Sequence, residues 1–329
     1  MLKRLSLVAC LLAAMTPPAQ ADSLAGRADV DAFIDQVSRS HGLDRDSVRA
    51  TLMQADTKPS IIGIFNKPAT SRPWHRFRPS FVNDGLAKSG AAFWARHAAL
   101  LQRASQQYGV DESIIIAIIG METGYGRNTG SFRVLDALAT VAFDYPRRAA
   151  YFQQELADFL LLAKEEQRDP AEFKGSYAGA MGWPQFMPSS FRKWAVDGDG
   201  DGHRDIWANP ADVIASVAHY LQQHGWQAGG ERVIAAAAPK ELADRLAQDK
   251  FNLHYTVAEL RAMGVTPGQP VSDNALAVLF PLEVAPGEFE YWLGLQNFYT
   301  ITRYNKSTLY AMAAHQLAQH IRERYAAMR

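Results

Sequence analysis

Cysteine is all but missing from this chain: Cys10 is the single one in 329 residues. A disulfide framework is therefore excluded, and stability must come from an apolar core, which this length can build. A surplus of charge of one sign is missing as well. Thirty-four Lys and Arg face 34 Asp and Glu, so binding to nucleic acid through net basic charge is excluded. No apolar run reaches the roughly 20 residues that a membrane-spanning helix needs. Internal repeats and low-complexity tracts are lacking too. What remains is the profile of an ordinary globular protein, 48% hydrophobic and 21% charged, long enough for two or three domains.

The N-terminus has a distinct character. Lys3 and Arg4 precede an apolar stretch over 5–15, and Ala19, Gln20 and Ala21 end it before Asp22. This is the pattern of a secretory signal peptide over 1–21. Leu7-Val8-Ala9-Cys10 resembles a lipoprotein lipobox, but Cys10 sits near the start of the apolar stretch, where cleavage would leave too little of it for export. The Ala-x-Ala site is the expected one, giving a soluble exported protein without cysteine. Losing Lys3 and Arg4 leaves 32 basic against 34 acidic residues, a balance suited to a neutral polymer such as a glycan.

Apolar periodicity predicts helices over 29–42 and 44–54, the second with Asp44 as N-cap, then a Pro- and aromatic-rich loop over 58–81. Further helices are expected over 90–108, from 111 or 112 to Glu122, and over 134–141, 151–168 and 211–224. Near Gly229 the pattern changes to strands over 233–238, 275–284 and 288–293, and 307–327 returns to helix. The expected fold class is mainly α (α+β) with a small β insert. The implied domains are an N-terminal helical part over 22–98, a core over 99–228, a small β-containing domain over 229–290, and a C-terminal return over 291–329.

Glu122 closes the apolar run 113–121 and is followed by Thr123, Gly124, Tyr125 and Gly126. Ile115, Ile118 and Ile119 share its helical face, which should turn to a core. Burial and the negative end of a helix both disfavour a carboxylate, so its pKa should rise, and such an acid can give a proton to a leaving oxygen. Position alone leaves open a glutamate that reaches solvent past the last turn or pairs with Arg127.

A second segment is acidic. Asp197, Asp199 and Asp201, with Gly202 at the turn and the carbonyl of His203 beyond, match the first half of an EF-hand loop. Position 12 of such a loop would be Ala208, which cannot ligate. Asp212, opening the next helix, is the better closing ligand of a lengthened loop over 197–212, with Asp205 in between. Carboxylates at alternate positions repel without a cation, so a metal site is expected. Calcium is the natural hard-cation choice, with sodium as the alternative; the plain alternative is an exposed Asp/Gly turn.

The third segment, 174–190, alternates small residues with Ser176, Tyr177 and Gln185, which offer hydrogen bonds to a polar ligand or else mark a tight helix-packing turn. Arg147 and Arg148, and Tyr304 and Asn305, are individually weak signals.

Taken together, GMETGYGRNTG, YPRRAAYF, FKGSYAGAMGWPQFMPSSF, DIWANPADVIASVAHYL and NFYTITRYNKSTLYAMA resemble the lytic murein transglycosylase B family (glycoside hydrolase family 103). The resemblance runs from about Asp29 to the C-terminus. It implies a lysozyme-like helical core with an EF-hand-like calcium loop, a flanking helical domain and a small β domain. It further implies periplasmic cleavage of the MurNAc–GlcNAc β-1,4 bond of peptidoglycan without added water, leaving 1,6-anhydro-MurNAc ends. The catalytic glutamate of the family falls on Glu122. Its substrate-binding Ser, Gln and Asn fall on Ser176, Gln185 and Asn305, and its Arg pair on Arg147 and Arg148, which the resemblance assigns to the peptide stems or the lactyl carboxylate. Tyr177, Tyr304 and Tyr310 lie within the same motifs and join the candidates. The metal set would be Asp197, Asp199, Asp201, His203 and Asp212. Glycan strands are the implied partner, with other cell-wall enzymes a further one, and neither an organic cofactor nor a permanent membrane span is implied. This chain has Trp183-Pro184 where the family commonly has Tyr-Gly, a change beside the cleft.

The implied chemistry uses one carboxyl group, first as acid and then as base. Two readings compete with it. A hydrolytic muramidase would add a second carboxylate, such as Asp136 or Asp144, to position water. A non-catalytic peptidoglycan-binding scaffold would leave Glu122 without a task.

Overall fold

The computed structural model describes residues 24–66 and 72–328. The segment expected to be a signal peptide, with Cys10, lies outside the described residues. Among those described, helices dominate and a five-stranded sheet is set between the tenth and last two of them. This is the mainly α architecture with a small β insert that the periodicity predicts.

The N-terminal helices Ala28–His41 and Arg45–Leu52 form as expected, and Asp44 caps the second by accepting the Ser47 N–H at 2.8 Å. The segment expected as a loop over 58–81 instead carries two short helices, Pro59–Phe65 and Trp74–Phe81. Pro59 and Pro73, which read as breakers, stand at the first turn and at the N-cap, where proline fits a helix start. Their aromatic residues are core: Trp74 is buried, and Phe65 packs edge-on against Phe152.

The helix Glu112–Thr123 forms the spine of the molecule. It packs against the long helix Asp84–Tyr108, the helix Pro210–Gln223 and the C-terminal helix Thr308–Ala326. Sequence spacing assigns one face of it to the core, but Ile114, Ile115, Ile116, Ile118 and Ile119 are all fully buried. At about 2 kcal/mol for each such side chain, the five contribute about 10 kcal/mol to the gross hydrophobic stabilisation. It also explains why the run carries no polar residue between Ser113 and Glu122.

The sheet is antiparallel throughout, in spatial order Tyr255–Thr256, Leu276–Ala285, Glu288–Gly294, Val233–Ala237, Thr266–Pro267. Its centre is the hairpin 276–294, in which Leu279 faces Leu293. One side packs with Leu242, Leu246, Val257 and Leu260 into a small separate cluster. Val278, Phe280 and Leu282, pointing the other way, join the main core. The period-two alternation of the strand thus feeds two cores at once.

Candidate active site

Glu122 lies in the last turn of the spine helix. Protein encloses its carboxyl group almost completely while the residue keeps a partly accessible edge. Burial pushes its pKa up from 4.5 to about 7, and the hydrogen bond donated by the Tyr310 hydroxyl to Oε1, at 2.6 Å, acts in the lowering direction. Tyr310 is buried on the first turn of the C-terminal helix, where Ser307 caps the helix by accepting its N–H. A pairing of Glu122 with Arg127 is not found: among the described residues Arg127 makes no ion pair, and its guanidinium folds back over Gly124.

The turn after Glu122 is tightly specified. Gly124, Tyr125 and Gly126 are all left-handed, with φ of 58°, 65° and 81°. For Tyr125 this conformation costs free energy, and the surroundings hold it there: its hydroxyl donates to the Leu86 carbonyl at 2.9 Å and its ring stacks on Phe93. A Cβ on Gly126 would lie 2.4 Å from the Trp183 ring, so only glycine fits beneath that indole. Thr123 ties the same two segments by donating its hydroxyl to the Trp183 carbonyl at 3.1 Å.

Tyr304 stands near the carboxyl group, and Tyr220 and Phe186 pack behind it in the core. Burial, and next the charge of Glu122, raises the phenol pKa of Tyr304; the Tyr304 hydroxyl donates to the Pro184 carbonyl at 2.7 Å. Tyr220 meets Tyr304 edge to face at 4.8 Å and donates to the Arg303 carbonyl at 2.7 Å. Phe186 lies 5.6 Å from Tyr220 and 5.9 Å from Tyr304. Sequence reasoning names Tyr304 and Tyr310 through the C-terminal motif but not Tyr220. Tyr220 follows Asp212 by eight residues, just over two turns along the same helix, and that spacing could have placed it on this wall.

The other predicted residues do not touch Glu122 directly. Ser176 Oγ accepts the N–H groups of Ala178 and Ala180 at 3.3 and 3.1 Å, which leaves its own proton free to donate. Gln185, at φ 51°, spends its amide N–H groups on the carbonyls of Gly182 and Thr129. Both shape the glycine-rich segment before they can serve any ligand. Tyr177 is exposed and sets its ring against Phe65. Arg148 lies over the rings of Tyr151 and Phe152, while Arg147 is exposed. Asn305 is exposed in the short link between the helices that carry Tyr304 and Tyr310.

Neither candidate second carboxylate is at this site. Asp136 accepts the Asp56 N–H at 3.0 Å and pairs with Arg133. Asp144 pairs with Arg27 at 2.6 Å. Both anchor the N-terminal segment, and no other acid contributes to the raised pKa of Glu122.

In the acidic loop, Asp197, Asp199 and Asp212 bring carboxylate oxygens within 4.8 Å of one another. Oxygens bound about 2.4 Å from a common centre span no more than that, so the three fit one hard cation. Asp197 accepts the N–H groups of Gly200 and Gly202 at 2.6 and 2.7 Å, as a loop wound around a cation requires. Asp212 is fully buried, and its two oxygens accept the N–H groups of Gly198 and Asp205 at 2.7 and 2.6 Å. Burial raises its pKa to about 6, and the charges of Asp199 and Asp197 add to the rise. Asp201 and His203 stand outside this group: Asp201 turns one oxygen to the His203 N–H. Asp205 caps the next turn through the N–H groups of Trp207 and Ala208.

A family model described as the transglycosylase SLT domain matches residues 25–319. The membrane-bound lytic murein transglycosylase B of Escherichia coli K12 is 46% identical over 297 residues, covering 87% of this chain and 81% of its own length. Among solved structures, the catenated lytic transglycosylase SltB1 of Pseudomonas aeruginosa superposes with a TM-score of 0.87 at 46% identity, over 91% of this chain and 99% of its own. The Escherichia coli lytic transglycosylase Slt35 in complex with calcium gives 0.82 at 43%, over 92% and 95%. SltB3 of Pseudomonas aeruginosa, in complex with NAG-anhNAM-pentapeptide, gives 0.75 at 30%, over 89% and 78%.

Proposed function

This chain belongs to the lytic transglycosylases of the SLT family, which act on peptidoglycan, and on that premise we propose that Glu122 alone carries the cleavage of the glycan. The observation behind this is a single buried carboxyl group whose proton is held up to about 7, with no second acid beside it. Protonated Glu122 gives its proton to the oxygen leaving with GlcNAc as the C1–O bond of MurNAc breaks. Positive charge develops at C1 and the ring oxygen, and the MurNAc acetamido carbonyl stabilises it. Ionised Glu122 then takes the proton of the C6 hydroxyl while that oxygen bonds to C1. The products are a GlcNAc end and a 1,6-anhydro-MurNAc end, and no water is consumed.

The protein supplies orientation and dryness. Tyr310 fixes the carboxyl rotamer and stabilises its ionised form between the two proton transfers. Tyr304, only partly buried, is suited to meet the apolar side of a pyranose, with the buried rings of Tyr220 and Phe186 packed behind it. The free proton of Ser176, and the amide of Asn305, are suited to the acetamido group and the sugar hydroxyls. A bound ligand related to the expected anhydro product occurs in SltB3.

The loop residues Asp197, Asp199 and Asp212 would hold a calcium ion, which would supply charge neutralisation at the root of the helix Pro210–Gln223 and take no part in the reaction. The calcium complex of Slt35 supports that choice. We place the protein in the periplasm, where its substrate lies, acting alone or with other cell-wall enzymes. No described helix is long and apolar enough to cross a membrane.

Mass spectrometry of released muropeptides tests the reaction. Ends lighter than a reducing MurNAc by one water are expected. Water-added ends would replace this account with a muramidase.

A further inference from the structure

A second pocket, of about 290 Å³, lies beyond the turn that follows Glu122. Gly124 and Tyr125, two and three residues past the acid, form part of it, and Phe93 and Trp183 supply aromatic wall. The long helix Asp84–Tyr108 kinks here: His97 has φ −117° and ψ 23°, and its ring lies 4.6 Å from that of Phe93. Arg96 and Arg127 complete the lining.

The charges of this pocket are unbalanced. No carboxylate lines it, and neither Arg96 nor Arg127 makes an ion pair or a hydrogen bond among the described residues. Some guanidinium groups of the chain are paired, as Arg27 is with Asp29 and Asp144, Arg192 with Asp158 and Glu165, and Arg204 with Glu165 and Glu166, whereas others, such as Arg103 and Arg147, stand singly on the surface. What sets Arg96 and Arg127 apart is that two unpaired, exposed guanidinium groups line one aromatic-walled pocket that holds no acid, where their five-donor forks can exchange water for an anion. A neutral sugar would be read by hydroxyl and amide groups and has no use for paired positive charge. A carboxylate does.

We infer that this pocket binds a carboxylate of the stem peptide attached to a MurNAc residue of the substrate, through Arg96 and Arg127. The inference rests on the peptidoglycan reading given above and deepens it. In peptidoglycan that carries its peptides, the lactyl carboxyl group is consumed in the amide bond to the first amino acid. The anions then available are the carboxylates of the peptide itself. The pocket volume suits one amino-acid side chain or chain end and not a further disaccharide. Trp183, pinned above Gly126, joins the pocket to the cleft, so occupancy of the pocket would set the register of the strand at Glu122.

The test compares glycan strands bearing their stem peptides with the same strands denuded by an amidase, and with strands whose peptide carboxylates have been amidated. The readout is the ratio of kcat/KM on stem-bearing to denuded strands. In the Arg96→Gln/Arg127→Gln double variant this ratio is expected to fall about tenfold or more, as for the loss of charge-assisted hydrogen bonds. In the wild type, amidation should bring stem-bearing strands to the level of denuded ones. Arg96→Lys/Arg127→Lys should restore part of the ratio by keeping the charge. Raised salt should lower it, because both groups are exposed. An unchanged ratio in the Gln variant overturns the inference, however far both rates fall. So does a loss confined to denuded strands, which would assign the pocket to the free lactyl carboxylate. If the wild type yields no anhydro ends from either strand, the parent reading fails first and carries this one with it.

Discussion

Glu122 and Asp212 are both buried carboxyl groups with raised pKa values, at about 7 and about 6, and both sit at a helix end. Their surroundings differ in a way that separates their tasks. Glu122 has one hydrogen-bond donor, the Tyr310 phenol, and neither a cation nor a second acid acts on it. Burial there favours the protonated form. Asp212 has two backbone N–H donors and two more carboxylates within reach. A proton relieves that repulsion poorly, and a divalent oxygen-bound cation relieves it well. The helix Pro210–Gln223 connects the two places: Asp212 stands in its first turn and Tyr220 near its last. Order at the acidic loop is thereby carried about 12 Å, at 1.5 Å per residue, to the aromatic wall beside Glu122.

The sharpest way to break this contrast is to remove each acid in turn. Glu122→Gln should lower turnover by about a thousandfold or more, the scale of lost general acid catalysis, as measured by muropeptide release. The same variant should be more stable than the wild type at high pH. Below 4.5 both folded and unfolded chains are protonated at this position and nothing is gained. Between 4.5 and about 7 the unfolded chain ionises first, so the wild type loses stability as pH rises, and above about 7 the loss is complete. The shift corresponds to about 3 kcal/mol, which denaturant melts of the two proteins at pH 5 and pH 8 would reveal as a pH-dependent gap.

Asp212→Ala should act on stability instead. It strips partners from the N–H groups of Gly198 and Asp205 and opens the cation site, at a cost of about 3 kcal/mol in calcium buffer. Chelation of the wild type should move Tm downwards, by the equivalent of about 2.7 kcal/mol for a buffer at 100 times Kd, and leave Asp212→Ala unmoved. Equal chelator responses in the two proteins would remove the cation from the account. The smallest effect belongs to Tyr310→Phe. It deletes the one contact that lowers the pKa of Glu122, so the alkaline limb of kcat/KM should move to higher pH, with a loss of about tenfold in rate.

Much of the site is legible in the residues, and the illegible parts have physical reasons. Glu122 stands out because a carboxyl group that ends a run of isoleucines is costly, and the glycines after it announce a tight turn. The Asp197 loop stands out because acids at alternate positions repel. Tyr310 is visible only through its motif, since it meets Glu122 from 188 positions away. Ser176 and Gln185 read as ligand-binding groups, yet both are engaged first in holding their own loop, a duty that spacing cannot reveal. The helix Val257–Ala262 is too short for periodicity to register. Its capping box, Thr256 with Glu259, was nonetheless written in the sequence. The breadth of burial around the spine helix is a tertiary fact: three helices must arrive before its second face is covered.

Burial holds a proton on Glu122 near neutral pH. Titration of side-chain carboxyl carbons by NMR, with Glu122→Gln to assign the resonance, measures this directly. A midpoint near 7 is predicted. A midpoint near 4.5, the ordinary value, would contradict it and leave the leaving oxygen without its acid.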